Sequence, residues 1–287
     1  MKSSTMGYFP RLLNEYPLKI IPSPMFVLWH NRRLILLLTV RELGSRFAGA
    51  LFGRLWLFIA PLVMLGMYAY FFGEILQAKW SIGGGEDSLT SFAMLIFSGL
   101  IIHQFFSECL IKAPDLVLSN PNYVKKVIFP LEILAVVTLL SAVIQLFIGS
   151  FILLLVFAIK NQVVSYSWLF FPLVCLPLFL LTIGLVWIFA ALGVFLRDLR
   201  QVMQFVSTLT LFMSPVFYPM DRLPEQLQFL TYVNPLIIAI EQTRMVIFQG
   251  VPPDWIVLGG YSAASLLIFL IGYYFFMRSK SAFADVL

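Results

Sequence analysis

Residues 133–159 read ILAVVTLLSAVIQLFIGSFILLLVFAI, an apolar run without one ionisable side chain. As an α-helix it would extend about 40 Å, more than the roughly 30 Å of a bilayer's hydrocarbon core. A helix apolar on every side is buried either in a large protein core or in lipid, and composition separates the two. The 287-residue chain is 61% hydrophobic and 11% charged. A soluble domain is nearer 45–50% apolar and about 25% charged, and so few ionisable groups would not cover a soluble surface. The run is a membrane helix, and the chain is a polytopic membrane protein.

Working outward from it, the hydropathy pattern predicts six spans, at about 55–76, 89–109, 133–159, 168–196, 202–218 and 255–277. Pro172 and Pro177 start or kink the fourth, and Pro215 lies near the end of the fifth. Ahead of the spans, the first 24 residues read as an irregular lead-in without a secretory signal pattern. The stretch 25–38, MFVLWHNRRLILLL, is too short and too charged to cross. It predicts an interfacial helix with snorkelling arginines and Trp29 at headgroup depth. Residues 219–254 are half polar and predict one or two re-entrant or interfacial helices, whose polar groups need protein or water around them at membrane depth.

Charge then orients the chain. With both ends on one side, that side carries the 1–54 arm, the 110–132 loop, the RDLRQ loop and the tail. Of the 19 basic residues, only Lys79, Lys160, Arg222 and Arg244 fall opposite. The positive-inside rule places both termini and the 110–132 loop in the cytoplasm. The net charge of +5 follows mainly from this topology and is no sign of nucleic-acid binding.

Chemistry of the chain's own is not expected. GxxxxGK[ST], HExxH and GxSxG patterns are absent, and GGGED at 83–87 lacks the lysine and hydroxyl of a nucleotide site. Cys109 and Cys175 show no zinc spacing and read as buried small hydrophobes. His103 is either a proton relay or a packing and hydrogen-bonding residue, and it has no well-placed acidic partner in the sequence. The centres of the first, third and sixth spans are nearly free of charge, so an ion-coupling site is not expected. Active transport would then draw its energy from a partner.

The segment 119–132, SNPNYVKKVIFPLE, is where such a partner would bind. Asn120 can cap a short helix with Pro121 at its first position. Helical periodicity puts Val124, Val127, Ile128 and Leu131 on one face, and Lys125, Lys126 and Phe129 off it. Glu132 suits the positive end of the next helix. From these residues alone, a membrane connector whose lysines touch anionic headgroups and a docking helix both fit.

Several stretches in order along the chain resemble the membrane subunit of ABC-2 type exporters, in the branch that exports lipid-linked O-antigen and wall teichoic acid polysaccharides. They are VRELGSRFAGALFGRLWLFIAPLVMLGMYAYFFGEIL (40–76), VKKVIFPLEILAV (124–136), ALGVFLRDLRQVMQFV (191–206), SPVFYPMDRLP (214–224), YVNPLIIAIEQTRMVIFQG (232–250) and FADVL (283–287). The resemblance implies an all-α polytopic membrane protein: six transmembrane helices, an N-terminal interfacial helix, and re-entrant periplasmic helices between the fifth and sixth. It divides the chain into a cytoplasmic arm (1–54) and an ABC-2 type transmembrane domain (55–287), with a coupling loop at about 110–132 and a re-entrant region at about 219–254.

The resemblance further implies a homodimer in the bacterial inner membrane, enclosing a channel and carrying two ABC ATPase subunits that bind ATP and Mg²⁺. This chain itself would hold no cofactor or metal. The coupling helix falls on the stretch around Asn122, Tyr123, Lys125, Lys126 and Phe129, and Arg41, Glu42 and Arg46 resemble a second ATPase-facing element. The implied substrate is undecaprenyl-diphosphate-linked O-antigen. Capsule polysaccharide, teichoic acid, a smaller lipid or drug, and a passive channel or structural membrane protein are the alternatives. Aromatic rings offer a sugar polymer a sliding surface with few fixed hydrogen bonds. Candidates for the path are Tyr68, Tyr70, Phe71 and Phe72 on the first span, and Phe205, Phe212, Phe217 and Tyr218 on the fifth.

Overall fold

The computed structural model describes residues 23–75, 89–125, 129–161, 165–218 and 234–286. The predicted interfacial helix forms as two. Ser23 caps α1 (Pro24–His30), accepting from the Phe26 N–H at 3.4 Å, and the chain turns at Asn31 into α2 (Arg32–Arg46). Asn31 marks the break because its amide donates 2.9 Å back to the Val27 carbonyl, competing with helix continuation. Trp29 stays exposed with the Arg32 guanidinium 4.5 Å over its ring.

Five helical segments among the described residues are long and apolar enough to cross a membrane: Gly53–Phe72, Phe92–Asp115, Glu132–Lys160, Tyr166–Phe195 and Trp255–Ala282. They correspond to the first four predicted spans and the sixth. The first contains α3 (Trp56–Tyr68) and continues as a π-helical turn, Ala69–Ile75. The next is built on α4 (Leu89–Lys112), which ends in a tight turn, Ala113–Asp115. After the short α5 (Pro121–Lys125), α6 (Glu132–Asn161) contains the whole of the run at 133–159. Ser165 caps a tight turn, Tyr166–Phe170, that leads into α7 (Phe171–Phe195), with Pro172 in its first turn and Pro177 inside.

The predicted fifth span differs. Its helix, α8 (Leu199–Met213), has 15 residues, about 22 Å, and falls short of the hydrocarbon thickness. It stops because Ser214 is extended (φ −98°, ψ 150°), as the residue before a proline prefers. The 219–254 stretch contributes α9 (Pro235–Arg244) and a π-helical turn, Met245–Gln249. Gly250, at φ 69°, ends that turn in the left-handed conformation that glycine adopts without strain. The remainder of 219–254 up to residue 233 lies outside the described residues. Asp254 then caps α10 (Trp255–Ser279), accepting from Ile256 N–H at 2.9 Å and Val257 N–H at 3.1 Å. Close to the chain's end comes α11 (Phe283–Val286).

The bundle is built around α4 and α7. The span windows on these helices are 72% and 61% buried, against 6% on the first span, which lies on the outside. Because lipid is as apolar as leucine, close packing rather than hydrophobicity must join helices here. The crossing of α7 with α10 shows how. Gly184 lies so near the α10 backbone that a Cβ would stand 2.6 Å from the Ile268 carbonyl oxygen, and Gly272 abuts the backbone of Gly184 itself. One turn along, buried Trp187 packs on Phe269 and Tyr273 and donates its indole N–H to the Glu132 carbonyl at 3.0 Å. Gly193 likewise abuts the Pro114 backbone, holding the end of α7 against the end of α4.

Candidate functional site

One end of the bundle gathers most of the described ion pairs. Glu108, near the end of α4, pairs with Arg46 of α2 and with Lys112 one turn on, at 3.0 Å. Lys112 reaches on to Glu42 at 2.9 Å. Arg200 at the start of α8 pairs with Asp115 at 2.5 Å. Glu132, buried in the first turn of α6, binds Lys280 beyond α10 at 2.7 Å. Its carboxylate thus meets both a helix N-terminus and an ammonium. These contacts tie the arm and α8 to the end of α4, and the tail to α6.

A groove of about 810 Å³ opens at the same end. Arg41 and Glu42 line it from α2, Tyr123 from α5, and Arg200 and Gln204 from α8. The fold therefore brings the expected arm residues Arg41 and Glu42 to the same groove as Tyr123 of the expected coupling segment. Arg46 stands beside it, turned to Glu108. Asn122 is exposed on α5, and Tyr123 stacks flat on Phe129, with ring centroids 4.3 Å apart and planes 11° from parallel. Periodicity put Phe129 off the apolar stripe, and the stacking is what half-buries it. Leu131, on that stripe, is buried. The Asn120 amide donates 2.9 Å back to the Leu116 carbonyl and closes the preceding turn. Lys125 ends α5, but its side chain lies outside the described residues, as does all of Lys126. The terminal helix α11 packs against α5, with Phe283 fully buried on Phe276 and Phe195.

The aromatic candidates divide into two groups. Tyr70, Phe71, Phe205 and Phe212 are exposed, whereas Tyr68, Phe72, Phe217 and Tyr218 are half-buried. Phe72 connects the groups by packing on Tyr68, Phe71, Phe92 and Phe217, and Phe217 packs on Phe212. The Tyr218 hydroxyl donates to the Phe212 carbonyl at 3.1 Å. First-span rings and those after α8 thus form one continuous cluster. On α8, Val202, Phe205, Leu209 and Phe212 make an exposed apolar stripe, while Met203 and Ser207 are buried on the other side.

His103 takes the hydrogen-bonding role. Its Nε2 lies 3.0 Å from the Ser207 carbonyl, so the nitrogen facing it carries the proton, and Ser107 bonds the Ser207 hydroxyl. This polar seam joins α4 to α8. Sequence reasoning missed Arg244, counted only as a basic residue of the opposite side. It is 1% exposed, and its guanidinium bonds Glu241 at 2.9 Å and the carbonyls of Val216 at 3.2 Å and Leu95 at 3.4 Å. Burial lowers its pKa, and the Glu241 carboxylate opposes that shift. The i, i+3 spacing of Glu241 and Arg244 was the available signal. Among the described residues, no group of three His, Cys, Asp or Glu side chains is placed to hold a metal ion.

A helical membrane bundle with an ion-paired arm and a groove between the arm and the loop after α4 has the form of a transporter's membrane subunit. The family model for the ABC-2 type transporter matches residues 33–248, and the chain belongs to that family. It is accordingly a membrane permease without catalytic chemistry of its own. It is 23% identical over 260 residues to the O-antigen export system permease protein RfbA of Myxococcus xanthus, covering 90% of this chain and 96% of that one. It is 21% identical to a protein of the same name from Klebsiella pneumoniae, over 88% and 95% of the two chains. The polysialic acid transport protein KpsM of Escherichia coli is 22% identical over 82% and 89%.

Proposed function

We propose that this chain is the permease of an ATP-driven exporter that moves undecaprenyl-diphosphate-linked O-antigen across the bacterial inner membrane. It works as a homodimer with two ABC ATPase subunits, which hold ATP and Mg²⁺. Both termini, the arm and the 110–132 loop are cytoplasmic. The observation that supports this most is the gathering of α2, the end of α4, α5, α6 and the start of α8 around one groove. A push delivered to the 110–132 loop by an ATPase would reach α2 and α8 through the ion pairs of Glu108, Lys112 and Asp115 at the end of α4. Arg41 faces the groove without a carboxylate partner among the described residues, leaving its charge for the ATPase or a diphosphate. The exposed rings of the first span and α8 would line the path between protomers, and Lys125 and Lys126 would meet the ATPase. The similarity to KpsM keeps capsule polysaccharide as the second reading.

The test reconstitutes the permease with its ATPase in vesicles. Lys125→Glu with Lys126→Glu should leave insertion intact and lower polymer-stimulated ATP hydrolysis about tenfold or more, equivalent to roughly 1.4 kcal/mol of coupling. Full coupling in this double variant, or export without ATP, would overturn the reading.

A further inference from the structure

A second cavity, of about 230 Å³, lies between the first span, α4 and α6. At one end it is bounded by Arg46, Glu108 and Gln104. At the other it reaches Pro61, Met64 and Phe97, about 16 Å further along α4 from Glu108. Gln145 of α6 lines the wall. Its side-chain nitrogen is shut off from solvent and has no hydrogen-bond partner. In a native fold, a buried amide donor left unmet points to a missing acceptor. The first-span wall is itself on the outside of the chain, with Leu62, Val63 and Met64 exposed.

Polarity along this cleft runs from guanidinium and carboxylate, through amide, to hydrocarbon. A phospholipid has the same order, from headgroup through ester to chain. We propose that the cleft holds one acyl chain of a phospholipid, whose ester oxygen accepts from the Gln145 amide. The chain would fill the gap behind α3 and connect the first span to α4 and α6, so that the first span moves with a lipid between it and the core. The inference uses the membrane fold alone and is independent of the transported substrate.

The purified permease, without ATPase, is placed in vesicles of phosphatidylethanolamine and phosphatidylglycerol containing phosphatidylethanolamine with a mid-chain diazirine. After irradiation, adducts are mapped by mass spectrometry. Labelling at Pro61, Met64 and Phe97 should exceed that at Leu266, Leu267 and Leu270, on the exposed face of α10, by about tenfold. Gln145→Leu preserves the side chain's bulk and should lower the cleft labelling several-fold without changing the α10 labelling. Excess polyprenyl phosphate should leave the cleft labelling unchanged. Equal labelling at the two places would overturn the proposal, as would an undiminished signal in Gln145→Leu. Displacement by polyprenyl phosphate would also overturn it, because the occupant would then be a prenyl chain.

Discussion

Arg244 of α9 holds two separate pieces of backbone with one planar group, α4 at Leu95 and the turn after α8 at Val216, and pairs with the Glu241 carboxylate of its own helix. A guanidinium can do this because its donors fan out in a fixed plane, and an ammonium offers no such fork. Arg244→Met would take a donor from the Val216 and Leu95 carbonyls and leave Glu241 without its partner, and should cost about 3 kcal/mol. In detergent the apparent melting temperature should fall by on the order of 10 °C. Arg244→Lys should recover less than half of that loss. Glu108 is a different case, because its partners Arg46 and Lys112 remain partly exposed. Glu108→Gln should change global stability by only about 1 kcal/mol or less. The loss should show instead at the arm, as faster hydrogen exchange of the α2 amides with rates in α7 unchanged.

Elements in this bundle are joined by small residues and by polar contacts rather than by amphipathic faces. At the α7–α10 crossing, backbone touches backbone through Gly184 and Gly272. A valine at either position has no space to enter without separating the helices. Gly272→Val should cost about 3 kcal/mol or more and abolish a monodisperse elution profile. Gly259 and Gly260, on the same helix, have no atoms within 4 Å of a built Cβ. Gly260→Ala should therefore be neutral, or stabilising by up to about 1 kcal/mol through helix propensity, by the same chromatographic and thermal assays. α8 carries the opposite signature. Its stripe of Val202, Phe205, Leu209 and Phe212 recurs at three- and four-residue steps, the spacing of a helix–helix seam.

At the scale of the whole molecule, the groove and the exposed aromatic faces are among the surfaces that the described residues leave open. If the α8 stripe packs directly on a second copy beside the path, Phe212→Cys should form a disulfide-linked dimer in membranes under mild oxidation. Leu267→Cys, on the exposed face of α10, should remain monomeric on the same gel. Equal cross-linking at both positions would place the dimer contact elsewhere.

The sequence alone determined that this is a helical membrane protein, and it located four spans and the last to within a few residues. Hydrocarbon length and charge exclusion are local properties, readable from runs such as 133–159. Glu132 at the head of α6 and the two prolines of α7 were legible for the same reason, since each acts on its own helix. The length of α8 was not, because the apolar residues up to Tyr218 continue past the backbone break at Ser214. Nor could the sequence pair Arg46 with Glu108, Lys280 with Glu132, or Arg244 with two distant carbonyls. Those contacts join residues that are far apart in the chain, and a helix apolar on every side gives no periodicity from which to set its rotation. Only the packed bundle fixes which side of each helix faces a neighbour. That is why the groove, the cleft behind the first span and the continuous ring cluster appear in the tertiary structure alone.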